Sequence, residues 1–255
     1  MLKSNAIQLF GHLFLTALVG FLNACQPGKQ IGNSTQQQDS IYFRTVQIPD
    51  SMMLKKLAPY KQMLDQKMND TVNFAATRLY KDRPEGTLGN LITETLMAFA
   101  LEKGFPSDLS LITTGGVRIP ELQQGLVTVG KVYELQPFDN ELVILTIRGD
   151  SLNKLLNFVA ARGGDPINGV SFKISGSKSK NAKVNGVPLN PNAAYKLLTS
   201  DYLANGGDNL LMLSKPIAYV QTGIAVRDAL IQHWKNLRRR NLPIQSKLDG
   251  RITVE

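Results

Sequence analysis

Histidine is almost missing from this 255-residue chain: there are two, His12 and His233, and His12 falls in an apolar N-terminal run. A two-metal hydrolase site normally draws several imidazoles among its ligands, so one body histidine argues against these residues assembling such a site. Cysteine is scarcer still. Cys25 stands alone, which excludes an internal disulfide and any cysteine-rich zinc site. Long apolar runs are absent after the N-terminus, so no later stretch can span a bilayer as a helix. What remains is a globular composition, 43% hydrophobic and 19% charged, neither disordered nor collagen-like. The length suits one domain of the usual ~100–200 residues, or two small ones. A net charge of +9 favours anionic ligands or an anionic lipid surface.

The first residues read as an address. Lys3 supplies a basic start, and Ile7 to Leu22 is nearly all apolar, the length of a signal-peptide core and short for a membrane span. The run ends Leu22-Asn23-Ala24-Cys25, similar to a bacterial lipobox, so Cys25 is expected to carry lipid and residues 1–24 to be removed. Residues 26–40, QPGKQIGNSTQQQDS, hold one large apolar residue, Ile31. Such a segment buries too little to fold and predicts a tether reaching roughly 50 Å when extended. The expected organisation is a leader at 1–24, lipidated Cys25 with its tether at 25–40, and one domain at 41–255.

Within that domain, spacings of three and four at Leu57, Tyr60, Leu64 and Met68 predict an amphipathic helix over about 60–69, with Pro59 near its start. Leu88, Leu91, Ile92, Leu96 and Phe99 share the face of a second helix, 88–102, stopped at Gly104. A third is expected to be capped by Asp150, with Leu152, Leu155, Leu156 and Val159 inward and Gly163-Gly164 at its end. The fourth spans about Gly223 to Arg239 and carries Ile224, Leu230, Ile231 and Trp234. Strands are predicted at Leu109–Thr113, Leu142–Arg148, Val170–Ser175, Ala194–Ser200 and Arg251–Val254. Without strict alternation of strand and helix, the pattern predicts an α+β domain with a mixed sheet flanked by helices.

Three loops carry the chemically informative residues. Thr113-Thr-Gly-Gly-Val-Arg118 follows a strand; its glycines allow close backbone approach and Arg118 offers a planar donor fork to an anion. Gln136-Pro-Phe-Asp-Asn140 presents Phe138 on a turn stiffened by Pro137, and Asn140 can donate and accept together. In Ser200-Asp-Tyr-Leu-Ala-Asn-Gly-Gly-Asp208 the two glycines permit a sharp loop and Asp208 can accept hydrogen bonds from a diol. Tyr202 could face Phe138 across a flat ring. His233 suits a core or surface role, the Arg238–Arg240 run suits a helix C-terminus more than a nucleic-acid patch, and Lys173, Lys178, Lys180 and Lys183 suit a solvated hairpin.

Taken together with Ala58-Pro-Tyr-Lys-Gln-Met-Leu-Asp65 and Leu88-Gly-Asn-Leu-Ile-Thr-Glu-Thr-Leu96, the three loops resemble the C-terminal, substrate-binding domain of the 5′-nucleotidase and UDP-sugar hydrolase family, over about residues 54–255 and in the family's order. The resemblance implies that Phe138 and Tyr202 sandwich a base, with tyrosine where phenylalanine is common. It implies that Asn140 contacts the base, Asp208 the ribose hydroxyls, and Arg118 the phosphate side. Arg83, with Arg78 as fallback, stands nearest a further family arginine. The family's Asn-Gly-Gly-Gly-Ile-Arg reads Thr-Thr-Gly-Gly-Val-Arg, which places Thr113 where the family has an amide.

Family members resemble one another in a preceding metallophosphoesterase domain holding two divalent metals, and nothing in these residues matches it. The expectation is a lipid-anchored binding module, facing the periplasm or exterior and recognising an AMP- or adenosine-like ligand. A separate metallophosphoesterase chain would be its partner, with no cofactor or metal in this chain and no nucleic acid. A self-sufficient hydrolase with a different active site is the alternative. A fold that has lost its ligand is the third reading, opposed by the presence of both aromatic residues, the Asn and the Asp.

Overall fold

The computed structural model describes residues 51–255; the expected leader, Cys25 and tether lie outside the described residues. Residues 57–255 form one unit, and of the unit before it only the start of the first helix is described. The chain begins with helix α1 (Ser51–Asn69), strands β1 (Thr71–Ala75) and β2 (Leu79–Tyr80), and helix α2 (Thr87–Glu102). Strands β3 (Leu109–Leu111), β4 (Glu121–Leu122) and β5 (Gly125–Thr128), helix α3 (Val129–Leu135), strand β6 (Glu141–Arg148) and helix α4 (Gly149–Ala161) follow. Next come β7 (Ile167–Asn168), β8 (Val170–Ser175), β9 (Lys178–Val184), β10 (Val187–Pro188), β11 (Ala194–Ser200) and the short α5 (Asp201–Ala204). The last elements are β12 (Ala218–Ala225), α6 (Val226–Arg239) and β13 (Ile252–Val254).

A five-stranded sheet, ordered β12-β6-β11-β3-β7, forms the centre. Strand β11 runs parallel to β3 and antiparallel to β6, so the sheet is mixed. A second mixed sheet, β10-β9-β8-β13, stands beside it. The fold is therefore α+β with mixed sheets flanked by helices, as the sequence predicts. Strand β6 explains itself by composition: Leu142 to Ile147 is a nearly unbroken apolar run, as expected for a strand buried on both faces. Leu142 and Ile144 enter one core with Phe99 of α2 and Trp234 of α6, while Val143, Leu145 and Ile147 enter another with α4 and Phe172 of β8. Each such side chain, once buried, contributes roughly 1.5–3 kcal/mol. Trp234 satisfies its one donor at the Thr95 hydroxyl, 2.8 Å away.

Helix α2 lies one residue from its predicted limits, and its expected apolar face is buried throughout. Helix α4 ends as its Gly163-Gly164 pair predicts. Gly163 adopts a left-handed φ of 79°, and the amides of Gly163 and Gly164 return to the Ala160 and Val159 carbonyls in a Schellman turn. Three expectations need correction. Helix α1 starts at Ser51 and holds Pro59 inside it, because residues 52–58 are strong helix formers without a breaker. Its apolar stripe is not buried: Leu57, Tyr60 and Leu64 are exposed. Asp150 is not the cap of α4; Arg148 holds that position, and Asp150 sits in the first turn accepting from the Ser151 amide at 2.7 Å. The fourth helix begins at Val226 and not at Gly223, because the ladder with β6 claims Ala218 to Ala225 as strand, with Tyr219 opposite Leu145. His233 is buried, its Nδ1 3.3 Å from a Glu102 oxygen. The lysines of the β8–β9 hairpin are exposed.

The C-terminal strand is held by Arg251, which is 7% exposed and donates to Ile167 O, to Glu94 and to both oxygens of Asp249. Arg251→Met should lower stability by about 2–4 kcal/mol in urea unfolding, since it leaves acidic groups crowded without their cation. The hydrogen bond from Arg251 holds the Asp249 carboxyl below the usual carboxylate range, against a smaller opposing effect of burial. The Asp249 contribution is therefore complete above about pH 4, the ordinary aspartate value, and is lost as pH falls through the depressed folded value. That acid-limb contribution should be reduced, not abolished, in the stability profile of Arg251→Met, because the amide of residue 251 still donates to Asp249.

Candidate functional site

Strand polarity brings the three informative loops to one end of the central sheet. The loops after β3 and after β11 leave the same edge because those strands are parallel, Leu198 facing Ser110. The loop before β6 arrives there because β6 is antiparallel to β11, with Leu142 opposite Ser200. Between the loops lies a cleft of about 310 Å³ with an apolar floor of Ile112, Leu203 and Val226. Thr113, Arg118, Phe138, Asn140, Tyr202 and Asp208 all line it. Such a size and mixture suit a small ligand held by a few placed polar groups.

Each wall is fixed by identifiable bonds. Phe138, 39% exposed, is presented by a turn that Arg227 of α6 holds through the carbonyls of Gln136 and Phe138 and the Asp139 carboxylate at 2.5 Å. Arg227 in turn stacks on the Tyr133 ring, 4.0 Å from its centroid. The Arg118 guanidinium carbon lies 5.6 Å from the Phe138 centroid, close enough for cation–π attraction. On the opposite side, Tyr202 is 49% exposed. Gly207 lies so close to it that a Cβ there would meet the ring Cε1 at 2.5 Å, which requires glycine. The Asn140 carboxamide makes no hydrogen bond to the other described residues, leaving both of its functions to the cleft.

Arg83 is not among the lining residues. It donates to the Arg162 carbonyl and lies 3.6 Å from Asp165. Arg78 binds Gln123 and lies 3.5 Å from Glu121, also away from the cleft. The residues that sequence reasoning missed are those behind the walls. Asp165 is 3% exposed; one oxygen accepts from both the amide and the hydroxyl of Thr114 at 2.8 Å, and the other lies 3.4 Å from Arg162 Nε. Arg162 also donates to the Asp208 carbonyl at 3.2 Å, so one carboxylate and one guanidinium tie the glycine loop to the Asp208 loop. The signal was present: Gly163-Gly-Asp165 repeats Gly206-Gly-Asp208. Gln136 was also missed. It lines the cleft while 5% exposed, and its amide nitrogen has no partner among the described residues.

Residues 66–215 match the family model for the 5′-nucleotidase C-terminal domain. The chain belongs to that family. It is 28% identical over 210 residues to protein UshA of Yersinia enterocolitica, covering 80% of this chain and 38% of that protein. A 5′-nucleotidase of Vibrio vulnificus is 28% identical over 205 residues, covering 76% of this chain and 35% of its own length. The solved 5′-nucleotidase precursor of Thermus thermophilus superposes with a TM-score of 0.68 at 28% identity, over 81% of this chain and 44% of that one. The chain thus spans less than half the length of these relatives. The family match ends at 215, so β12, α6 and β13 lie beyond it, although Arg227 of α6 braces the Phe138 turn.

Among the described residues no group of His, Cys, Asp and Glu is placed to hold a metal. The donor set agrees: His233 lies beside Glu102 and makes a T-shaped contact with Phe99, Asp165 is bound to Thr114 and flanked by two arginines, and Asp208 accepts from two hydroxyls. These residues do not fit a two-metal centre. The buried carboxylate behind the cleft yields a prediction. Asp165→Asn should cost ~2–3 kcal/mol in urea unfolding, because two arginines lose their shared counter-charge while staying partly solvated. Thr113→Ser, which keeps the hydroxyl, should stay within about 1 kcal/mol of the parent chain.

Proposed function

We propose that this chain is a nucleotide- or nucleoside-binding module of the 5′-nucleotidase type. The observation that carries the reading is the convergence of Phe138, Tyr202, Asn140, Asp208, Arg118 and Thr113, from three separate loops, on one cleft. In this reading the rings of Phe138 and Tyr202 flank the base and Asn140 reads its edge. Asp208 accepts from the ribose hydroxyls, and Arg118 meets the phosphate side. The names of its relatives, 5′-nucleotidases among them, support the ligand class.

Cleavage of the phosphoester is assigned to a metallophosphoesterase on a separate chain. Phosphomonoester hydrolysis is so slow in water that it needs an accelerating device, which in this reading is supplied by the partner's two divalent metals. The scarcity of histidine in the whole sequence and the commitments of Asp165 and Asp208 support that division. We further propose export by the leader at 1–24 and anchoring through lipidated Cys25, with residues 25–40 as the tether. The domain would then face the periplasm or exterior. No helix among the described residues is long and apolar enough to cross a membrane.

Calorimetric titration of adenosine and AMP tests the binding half. Phe138→Ala and Tyr202→Ala should each weaken binding about tenfold or more, since base–aromatic stacking contributes ~1–3 kcal/mol per ring. Unchanged affinity in both would overturn the sandwich. Phosphate release from AMP tests the other half: the chain with Zn²⁺, Mn²⁺ or Mg²⁺ should show no appreciable turnover until a metallophosphoesterase is added. Robust turnover by the chain alone, abolished in Arg118→Ala, would favour the self-sufficient hydrolase instead.

A further inference from the structure

Asp208 is held more completely than a ligand-binding carboxylate needs to be. Its backbone is left-handed, with φ of 53°, and Asn209 after it has φ of 67°. One carboxylate oxygen accepts from the Tyr202 hydroxyl at 3.0 Å and the other from the Thr113 hydroxyl at 2.5 Å. The Asp208 amide donates back to the Tyr202 oxygen at 3.2 Å, and its carbonyl accepts from Arg162. Asp208's own loop, through Tyr202, and two other segments, through Thr113 and Arg162, therefore fix one residue.

The proton count of this corner decides what it can bind. A hydroxyl has a single proton, and both Thr113 and Tyr202 have directed theirs at Asp208. An ionised carboxylate offers about four lone-pair positions, of which two are taken. What the corner still turns outward is lone pairs: those remaining on the two Asp208 oxygens and those on Thr113 Oγ1. It can accept hydrogen bonds and has no side-chain proton left to give. A vicinal diol brings two donors to such a corner and a 2′-deoxy sugar brings one. The Tyr202 oxygen both donates to and accepts from Asp208, so its part is to position the carboxylate. Gly207, packed against the ring edge, keeps aromatic wall and acceptor in one unit.

We infer that the hydroxyls of Tyr202 and Thr113, by orienting Asp208 and using up their protons on it, set the cleft's preference for a ribose diol over a deoxyribose. This rests on the nucleotide reading above and assigns these two side chains a role apart from stacking and from backbone geometry.

Calorimetric titration of adenosine and 2′-deoxyadenosine, with the full chain and with Tyr202→Phe, Thr113→Val and Thr113→Ser, tests it. The parent chain should prefer adenosine by about tenfold, the size expected for one hydrogen bond to a charged group. Tyr202→Phe keeps the ring and should lose most of that preference, through weaker adenosine binding and little change for the deoxynucleoside. Thr113→Val should move the same way, and Thr113→Ser should restore the preference, which supports a hydroxyl role over a packing role. Should one variant fail to fold, the other and the serine rescue decide. Equal preference in the parent and both hydroxyl-deletion variants overturns the inference and leaves the nucleotide reading standing, as does adenosine binding with no preference in the parent. No binding of either nucleoside by the parent overturns both.

Discussion

The parallel pairing of β3 with β11 is the constraint on which the site depends. Parallel neighbours deliver their following loops to the same edge, and the antiparallel β6 between β12 and β11 returns its own preceding loop there. Reversing any one strand would send its loop to that strand's other end, 3 residues away for β3, 7 for β11 and 8 for β6, at ~3.3 Å each. The apolar run in β6 secures the arrangement, because a slip of one residue would exchange the side chains of the two cores. The position of the cleft is thus a by-product of register.

Behind the cleft, electrostatics does what packing does elsewhere. Arg227 braces the Phe138 turn, Arg162 braces the Asp208 loop, and Asp165 balances the arginines around it. None of these contacts needs a ligand to form, so both aromatic walls are oriented before anything binds. Pre-organisation of this kind lowers the ordering cost of association without adding a contact. Among the described residues the Gln136 amide nitrogen and the Asn140 carboxamide are left without a partner, and the Arg118 side chain is exposed.

The elements read correctly from the sequence are those whose burial is strong and local: α2 and β8, where apolar side chains recur with one clear period, β6, whose apolar run is buried on both faces, and β11, buried from Leu197 to Ser200. Strand β12 escapes such a reading because AYVQTGIA is an edge strand, largely exposed on both faces, so it has no alternation to detect. Helix α1 outruns its predicted limits because helix formers continue on both sides of Pro59. In the site, residues whose chemistry faces outward were legible as motifs, and the comparisons agree on the family they belong to. Arg162, Asp165 and Arg227 were not, because their roles arise only when segments dozens of residues apart are folded together. Arg83 illustrates the converse: a motif position can be filled while the side chain is engaged elsewhere.

The glycines of the first loop have a consequence for protein engineering. Replacing glycine by alanine raises stability by restricting the unfolded chain, wherever the native backbone tolerates a Cβ. Glycines 164 and 207 forbid it, since a Cβ would fall 2.2 Å from the Pro84 carbonyl oxygen or 2.5 Å from the Tyr202 ring. Gly115 and Gly116 would permit it, with nothing nearer than 3.7 Å and no left-handed φ. Both line the cleft. The room that an added methyl would occupy there is the room a ligand needs, so at this edge of the sheet thermal robustness and binding capacity draw on the same few cubic ångströms.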